Sequence, residues 1–296
     1  MPNPHLPIET LDNIVDHLHD AKRTLRNCCL VSKSWIPRTR THLFADIRFV
    51  TEENLKSWKE TFPDPSSSPA HYTKSLTISC SHVVVAADAK AGGWITGFSN
   101  VVCFEIGSTD VLACGPAATF APFHGFSPRI KSLHANFAFL WAPQFFDLIL
   151  TFPLLKNLSA IAKFEVPAPN DSERLLTATH SSSLPTFTGS LNLQKAGLNP
   201  IARQLLSIPG GIHFRKLTLS CVEKDPLWVT GLIEGCFNTL ESLHITCGFH
   251  GKLILCLFTP ISLLSQARHG RLTSRKQRNS RMRFSNSDRG GSNGSH

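Results

Sequence analysis

The stretch "LKNLSA", residues 155–160, carries the pattern from which the architecture of this 296-residue chain follows. Its apolar side chains Leu158 and Ala160 stand two residues apart, as they do in "IKSLHA", residues 130–135. Successive side chains of a β-strand point to opposite faces of the sheet, so this spacing predicts a short strand with one buried face.

Five other segments share the pattern. The first apolar residues of successive segments are 25 to 33 positions apart. This ragged period is close to that of leucine-rich repeats, and helix-like segments such as "PQFFDLILTF" lie between several of the strands. The sequence therefore predicts an α/β solenoid, a parallel sheet curled into an arc. An ordinary α/β domain remains the alternative, because the repeats lack a strict asparagine ladder. The other five segments are "KSLTIS", "VCFEIG", "SLNLQ", "RKLTLS" and "LESLHI".

The first 48 residues have a different, helical pattern. In "LPIETLDNIVDHLHD", residues 6–20, Pro7 and Glu9 suit a helix start, and the apolar residues that follow recur at i, i+3, i+4 and i+7. A second helix is expected around Leu25 and Cys28, with Leu30 and Val31 widening its apolar face. A third is expected within "SWIPRTRTHLF". Three helices in about 40 residues form a small core, and such a bundle usually needs a partner.

These residues resemble a known family. "LPIETLDNIVDHL" followed by "LRNCCLVSKSW" looks like the F-box, the helical module of substrate receptors in cullin-based ubiquitin ligases, and residues 5–48 are similar to fungal F-box-like proteins that carry repeats behind the module. The resemblance implies docking on the ligase adaptor subunit, which bridges to the cullin scaffold. It assigns this contact most directly to Leu6 and Pro7, whereas the other matching positions also pack the bundle. The adaptor-binding candidates are Leu6, Pro7, Leu11, Ile14, Leu18, Leu25, Val31 and Trp35.

In repeat-bearing members of this family, the side chains flanking the inward strand positions line the concave face and contact partners. Here those positions are small and polar with little charge, so they predict either a target-binding surface or ordinary solvated strand positions. "GPAATFAPFHGFSP", residues 115–128, is a further candidate, as a binding insertion or as packing. The target-binding candidates on the strands are Thr77, Glu105, His134, Ser159, Asn192, Thr218 and His244.

The net charge of +9 comes mainly from the end of the chain. Eight of the 30 basic residues and one of the 21 acidic residues lie within 266–296, so the rest is close to neutral. We expect this Arg-, Ser- and Gly-rich tail to be disordered. Its cluster of basic residues predicts nuclear import or nucleic-acid contact, or else an uninformative tail, and nucleic acid is not the expected partner. That cluster comprises Arg275, Lys276, Arg278 and Arg281.

No catalytic, metal or cofactor motif appears in the sequence, so we expect a binding protein without enzymatic activity, metal or cofactor. The nine cysteines are odd in number and form no C-x-x-C pair, which favours buried free thiols in a reducing compartment, the cytoplasm or the nucleus. The apolar run at 253–264 is too short for a membrane span.

Together these patterns predict an F-box bundle at 1–48, a connecting helix and Pro/Ser linker at 49–71, a repeat domain at 72–252 and an apolar segment with a basic tail at 253–296. The predicted function is substrate recognition for an SCF-type ubiquitin ligase that acts on an unknown target protein. The alternative is a repeat scaffold outside any ligase, which binds protein or nucleic acid and carries a nuclear-targeting tail.

Overall fold

The structure is a computed structural model, and all of its described residues belong to one compact unit within residues 1–260. Leu6 and the four basic tail candidates lie outside these residues, as do most of 115–128 and the part of the apolar run after residue 258. The described residues are 7–79, 93–108, 120, 123–124, 126–165, 185–194, 198–221, 227–249 and 252–258.

Three short helices come first, as predicted: α1 (Ile8–His17), α2 (Lys22–Val31) and α3 (Ile36–Leu43). Pro7 stands at the start of α1, where its missing amide proton costs nothing. Helix α3 contacts both α1 and α2. A 3₁₀ turn at Lys33–Trp35 leads into α3.

Beyond α3, strands and helices form a single open sheet with helical connections. Within the described residues, nine strands lie side by side in the order of the sequence, the first eight parallel and the last antiparallel. This confirms the predicted α/β class with a parallel sheet, whereas the curvature into an arc stays a prediction. The elements are β1 (Asp46–Phe49), α4 (Glu52–Thr61), a 3₁₀ turn (Pro69–Tyr72), β2 (Ser75–Ile78), α5 (Gly93–Thr96), β3 (Cys103–Ser108), β4 (Ser132–Trp141), α6 (Ala142–Leu150), β5 (Asn157–Glu165), β6 (Ser190–Gln194), α7 (Asn199–Leu206), β7 (Lys216–Cys221), α8 (Leu227–Cys236), β8 (Ser242–Phe249) and β9 (Lys252–Phe258).

The register of the strands explains the two-residue spacing seen in the sequence. The predicted apolar positions of adjacent strands pair with one another and form two rows on one face of the sheet. Most of these side chains are fully buried, so this face forms the main core against the helices. The first row is Leu76, Phe104, Leu133, Leu158, Leu191, Leu217 and Leu243.

Just before most of the parallel strands, one carbonyl accepts two backbone hydrogen bonds from the next strand along the sheet. The carbonyl of Lys131, for example, accepts from the amides of Lys156 and Asn157, both at 2.9 Å. The same arrangement starts β2, β3, β4, β7 and β8. These paired bonds hold the strand starts in line along one edge of the sheet, which we call the amino edge.

Aromatic side chains fill the core around β1 and beside the 115–128 segment. Phe98 is fully buried, and its ring centroid lies 6.2 Å from that of Phe49 and 5.7 Å from that of Trp58. Phe123 and Phe126 lie 5.5 Å and 5.0 Å from Phe104 and are buried. The phenylalanines of this segment therefore pack into the core.

Some local features differ from the sequence pattern or add to it. Leu30 and Val31, the apolar residues expected beside Leu25 and Cys28, are 86% and 69% exposed on α2. In the Pro/Ser segment 62–71, the exposed loop ends at Ser67, and Ser68 to Ala70 are buried. The sequence pattern also missed β1, although Ile47 and Phe49 show the two-residue spacing, and the predicted boundary at residue 48 falls within this strand.

Candidate functional site

The first candidate surface is the outer side of the N-terminal helices. On α1, Val15 is buried and supplies the core contact, whereas Ile8 and Ile14 are 49% and 42% exposed. Leu30 and Val31 on α2 are more exposed still. Burying a large aliphatic side chain is worth roughly 1.5–3 kcal/mol, so these four side chains offer binding energy that the described fold does not use.

The predicted adaptor-binding residues divide by exposure. Pro7, Ile14 and Val31 are exposed and available to a partner. Leu25 is fully buried and therefore packs the interior of the helices. The remaining described candidates are half-buried and are Leu11, Leu18 and Trp35.

One carboxylate connects α1 with α3. Asp16 accepts two hydrogen bonds from the guanidinium of Arg38, and His42 Nε2 lies 2.7 Å from Asp16 Oδ1. The hydrogen bonds from Arg38, followed by that from His42, hold the pKa of the Asp16 carboxyl well below its usual range. Nothing in the sequence pattern identified this network, because its members are 22 and 26 residues apart.

A further link fixes α2 against α3. The ammonium group of Lys22 lies 3.2 Å from the carbonyl oxygens of both His42 and Leu43, at the end of α3. A cation there also complements the negative end of the helix dipole. The exposed apolar side chains are thus carried by helices whose mutual positions are fixed by polar contacts.

The second candidate surface is the polar face of the sheet, opposite the main core. The register brings all seven predicted target-binding residues into one continuous row that runs across β2 to β8. Glu105 and His134 are exposed, Thr77 is buried, and the other four are half-buried. Strand pairing, which the sequence spacing predicted, is what aligns them.

Hydrogen bonds between neighbouring strands order several of these side chains. The Asn192 amide donates to Ser159 Oγ at 3.1 Å and accepts from Gln194 at 3.0 Å. Thr77 Oγ1 donates to Glu105 at 3.2 Å. The middle of the row therefore presents a preformed set of amides and hydroxyls.

Asn157 makes a similar bridge one row closer to the amino edge. Its amide nitrogen donates to Ser132 Oγ at 3.0 Å, and its oxygen accepts from the Ser190 amide at 2.9 Å. A Cβ atom at Gly189 would overlap this Asn157 oxygen, so glycine is required there by the close approach. Sequence spacing placed Asn157 at the start of a strand but did not reveal the bridge.

Two of the described cysteines have surroundings that disfavour the reactive thiolate. Burial, followed by the nearby negative charge of Glu105, raises the pKa of Cys103, and burial raises that of Cys236. Cys28 is a buried free thiol, while His42 is engaged with Asp16. Among the described residues, no group of three His, Cys, Asp or Glu side chains could hold a metal ion, and no helix could cross a membrane.

No protein-family model matches the chain, and no curated protein matches it.

Proposed function

We propose that this chain is the substrate-recognition adaptor of a cullin-based, SCF-type ubiquitin ligase. In this proposal α1 to α3 are the F-box, which docks on the ligase adaptor subunit and through it on the cullin scaffold. The sheet and its helices are a leucine-rich-repeat-like arc that holds the target protein. The chain contributes binding and no chemistry, since holding a target near the conjugating enzyme raises its effective concentration there.

One observation carries the proposal. In the N-terminal helices Val15 and Leu25 are buried, whereas Ile8, Leu30 and Val31 are 49%, 86% and 69% exposed. Large apolar side chains left exposed on short helices are what a surface covered by a partner would use. The resemblance of residues 5–48 to the F-box names the partner that this surface would take.

The sheet supports the second half of the proposal. Strands that follow one another in the sequence are neighbours in the sheet, which is the arrangement that successive strand and helix repeats require. The aligned polar row would then be the target-binding face. A cytoplasmic or nuclear location belongs to the same proposal, because the ligase acts there.

Affinity capture tests the adaptor contact. We expect wild-type protein to retain the ligase adaptor subunit and the variant Ile14→Lys/Leu30→Lys to lose it, because each lysine would place a charge in an apolar interface. Both positions are exposed, so the substitutions should leave the fold intact. The matched control is Leu154→Lys/Leu227→Lys, which changes two exposed leucines outside the N-terminal helices and should retain the adaptor.

Failure of wild-type protein to capture the adaptor would contradict the ligase role. The remaining hypothesis would then be that the chain is a repeat scaffold that belongs to no ligase. Equal capture by the two variants would instead contradict the assignment of the contact to α1 and α2.

A further inference from the structure

Basic residues recur at the amino edge of the sheet, at the position immediately before a strand. Lys74, Lys131 and Lys156 precede β2, β4 and β5, and Arg215 precedes β7. Their backbone groups belong to the paired hydrogen bonds that align the strand starts. These residues therefore occupy equivalent positions along one line, which we call the basic row.

The three lysines of the basic row are not neutralised within the described part of the chain. Each is exposed, and no described carboxylate lies within 4.0 Å of its ammonium group. Arg215 has an exposed pair with Glu241 at 3.4 Å, a contact that is readily exchanged in water. The exposed Lys216 adds a further cation at the start of β7.

The geometry of the row makes this charge unfavourable unless an anion covers it. Lys131 and Lys156 precede neighbouring strands, which lie about 4.8 Å apart, and like charges on adjacent strands are destabilising. From Lys74 to Arg215 the row crosses from β2 to β7, a span of roughly 24 Å. An extended peptide of about seven residues covers that distance.

We infer that the basic row binds an acidic peptide segment of a partner protein. Charge complementarity favours an anion, and the absence of aromatic side chains from the row favours a peptide over single-stranded nucleic acid, which binds through stacking of its bases. Among the described Phe, Trp and Tyr residues, Phe237, which follows α8, is the one that is exposed. The inference rests on the proposed function, because it names the chemistry of the target that the sheet would recognise.

Fluorescence anisotropy with the full chain tests the inference. The probe is a labelled 12-residue peptide of alternating Glu and Ser, and the comparison ligands are a Lys/Ser peptide of equal length and a heptanucleotide of single-stranded RNA. We expect the acidic peptide to bind with an affinity that falls as salt rises. The variant Lys131→Glu/Lys156→Glu should weaken binding at least about tenfold, because two attractive charges become repulsive.

Two controls separate position from total charge. Arg26→Glu/Lys56→Glu makes the same change in net charge at exposed positions on α2 and α4, and should alter the affinity by less than about threefold. Lys131→Arg/Lys156→Arg keeps the charge and should keep the binding. Circular dichroism establishes that each variant is folded.

The inference is overturned if the charge reversal and its control weaken binding equally, or if the Lys/Ser peptide binds as tightly as the acidic one. Tighter binding of the RNA than of the acidic peptide would assign the row to nucleic acid instead. The assay contains no ligase subunit, so loss of the adaptor contact and loss of peptide binding are separate results. A chain that captures the adaptor but binds no acidic peptide retains the proposed function and loses this inference.

Discussion

Asp16 shows how a single side chain supports a surface that it does not form. Its carboxylate connects α1 with α3 through Arg38 and His42, while the exposed apolar residues lie on α1 and α2. Three nitrogen atoms, two from Arg38 and one from His42, share the two carboxylate oxygens in a half-exposed position. Removing the charge loosens the relative position of the helices and leaves the residues of the proposed interface in place.

We expect Asp16→Asn to lower the thermal stability of the chain and to weaken capture of the adaptor. The effect should depend on pH. Because the carboxyl pKa is lower in the folded chain than in the unfolded chain, its contribution is complete above the ordinary carboxyl pKa of about 4 and is lost as the pH falls below it.

Urea titrations of both proteins at pH 7 and pH 3 measure this dependence. The difference between wild type and variant should shrink at pH 3. A difference that grew on acidification would contradict the assignment of Asp16 as a stabilising carboxylate.

At the scale of the elements, the predictable strands are those that share one recurring pattern, two apolar residues separated by a single residue. Seven strands, β2 to β8, were identified correctly because the pairs from Leu76 and Ile78 onward repeat at similar intervals. Strand β1 has only four residues and follows three helices, so its single apolar pair does not distinguish it from the helical module in the sequence. In strand β9, Lys252–Phe258, residues on both faces are apolar, so the sequence alone indicates only a continuous apolar run.

The candidate surfaces were predictable to different degrees. The polar row followed from the strands, since its residues lie one position after the buried leucines and strand pairing aligns them. The exposure of Leu30 and Val31 could not be predicted, because helical periodicity does not distinguish a core from an uncovered interface. The basic row required the register, which places Lys74, Lys131 and Lys156 on one line.

The contact between α4, α5 and β1 yields a prediction for the element scale. Phe98 follows α5 and packs against Phe49 of β1 and Trp58 of α4, with no exposed surface. We expect Phe98→Ala to lower the free energy of unfolding by about 3–5 kcal/mol, as is typical when a buried phenylalanine is truncated. Phe237→Ala, at an exposed position, should change it by less than about 1 kcal/mol. Denaturant unfolding of both variants measures the difference, and equal effects would contradict the burial of Phe98.

At the scale of the whole molecule, the helical module and the sheet do not separate at the boundary that the sequence suggested. Strand β1 begins at Asp46 and pairs in parallel with β2 along its full length. Its side chains Ile47 and Phe49 belong to the main core. Strand β1 therefore joins the helical module to the sheet. Dividing the chain at residue 48 would cut through this strand.

Two truncations test this connection. Deleting residues 1–50 removes β1, uncovers the edge of β2 and should produce aggregated protein, because an unpaired apolar edge strand pairs with other chains. Deleting residues 1–43 keeps β1 and should give a larger fraction of monomer. Size-exclusion chromatography of the two proteins at equal concentration compares them, and identical elution profiles would contradict a structural role for β1.

The paired hydrogen bonds at the amino edge have a consequence for how such a chain can change over evolutionary time. In these bonds, a carbonyl just before one strand fixes where the next strand begins. This holds whatever the length of the segment that connects the two strands. Residues inserted into or deleted from a connecting segment then change only the length and path of that segment. The alignment of the strands stays unchanged. The uneven intervals of 25 to 33 residues are compatible with a regular sheet for this reason. We expect the connections to tolerate changes in length that the strands themselves would not.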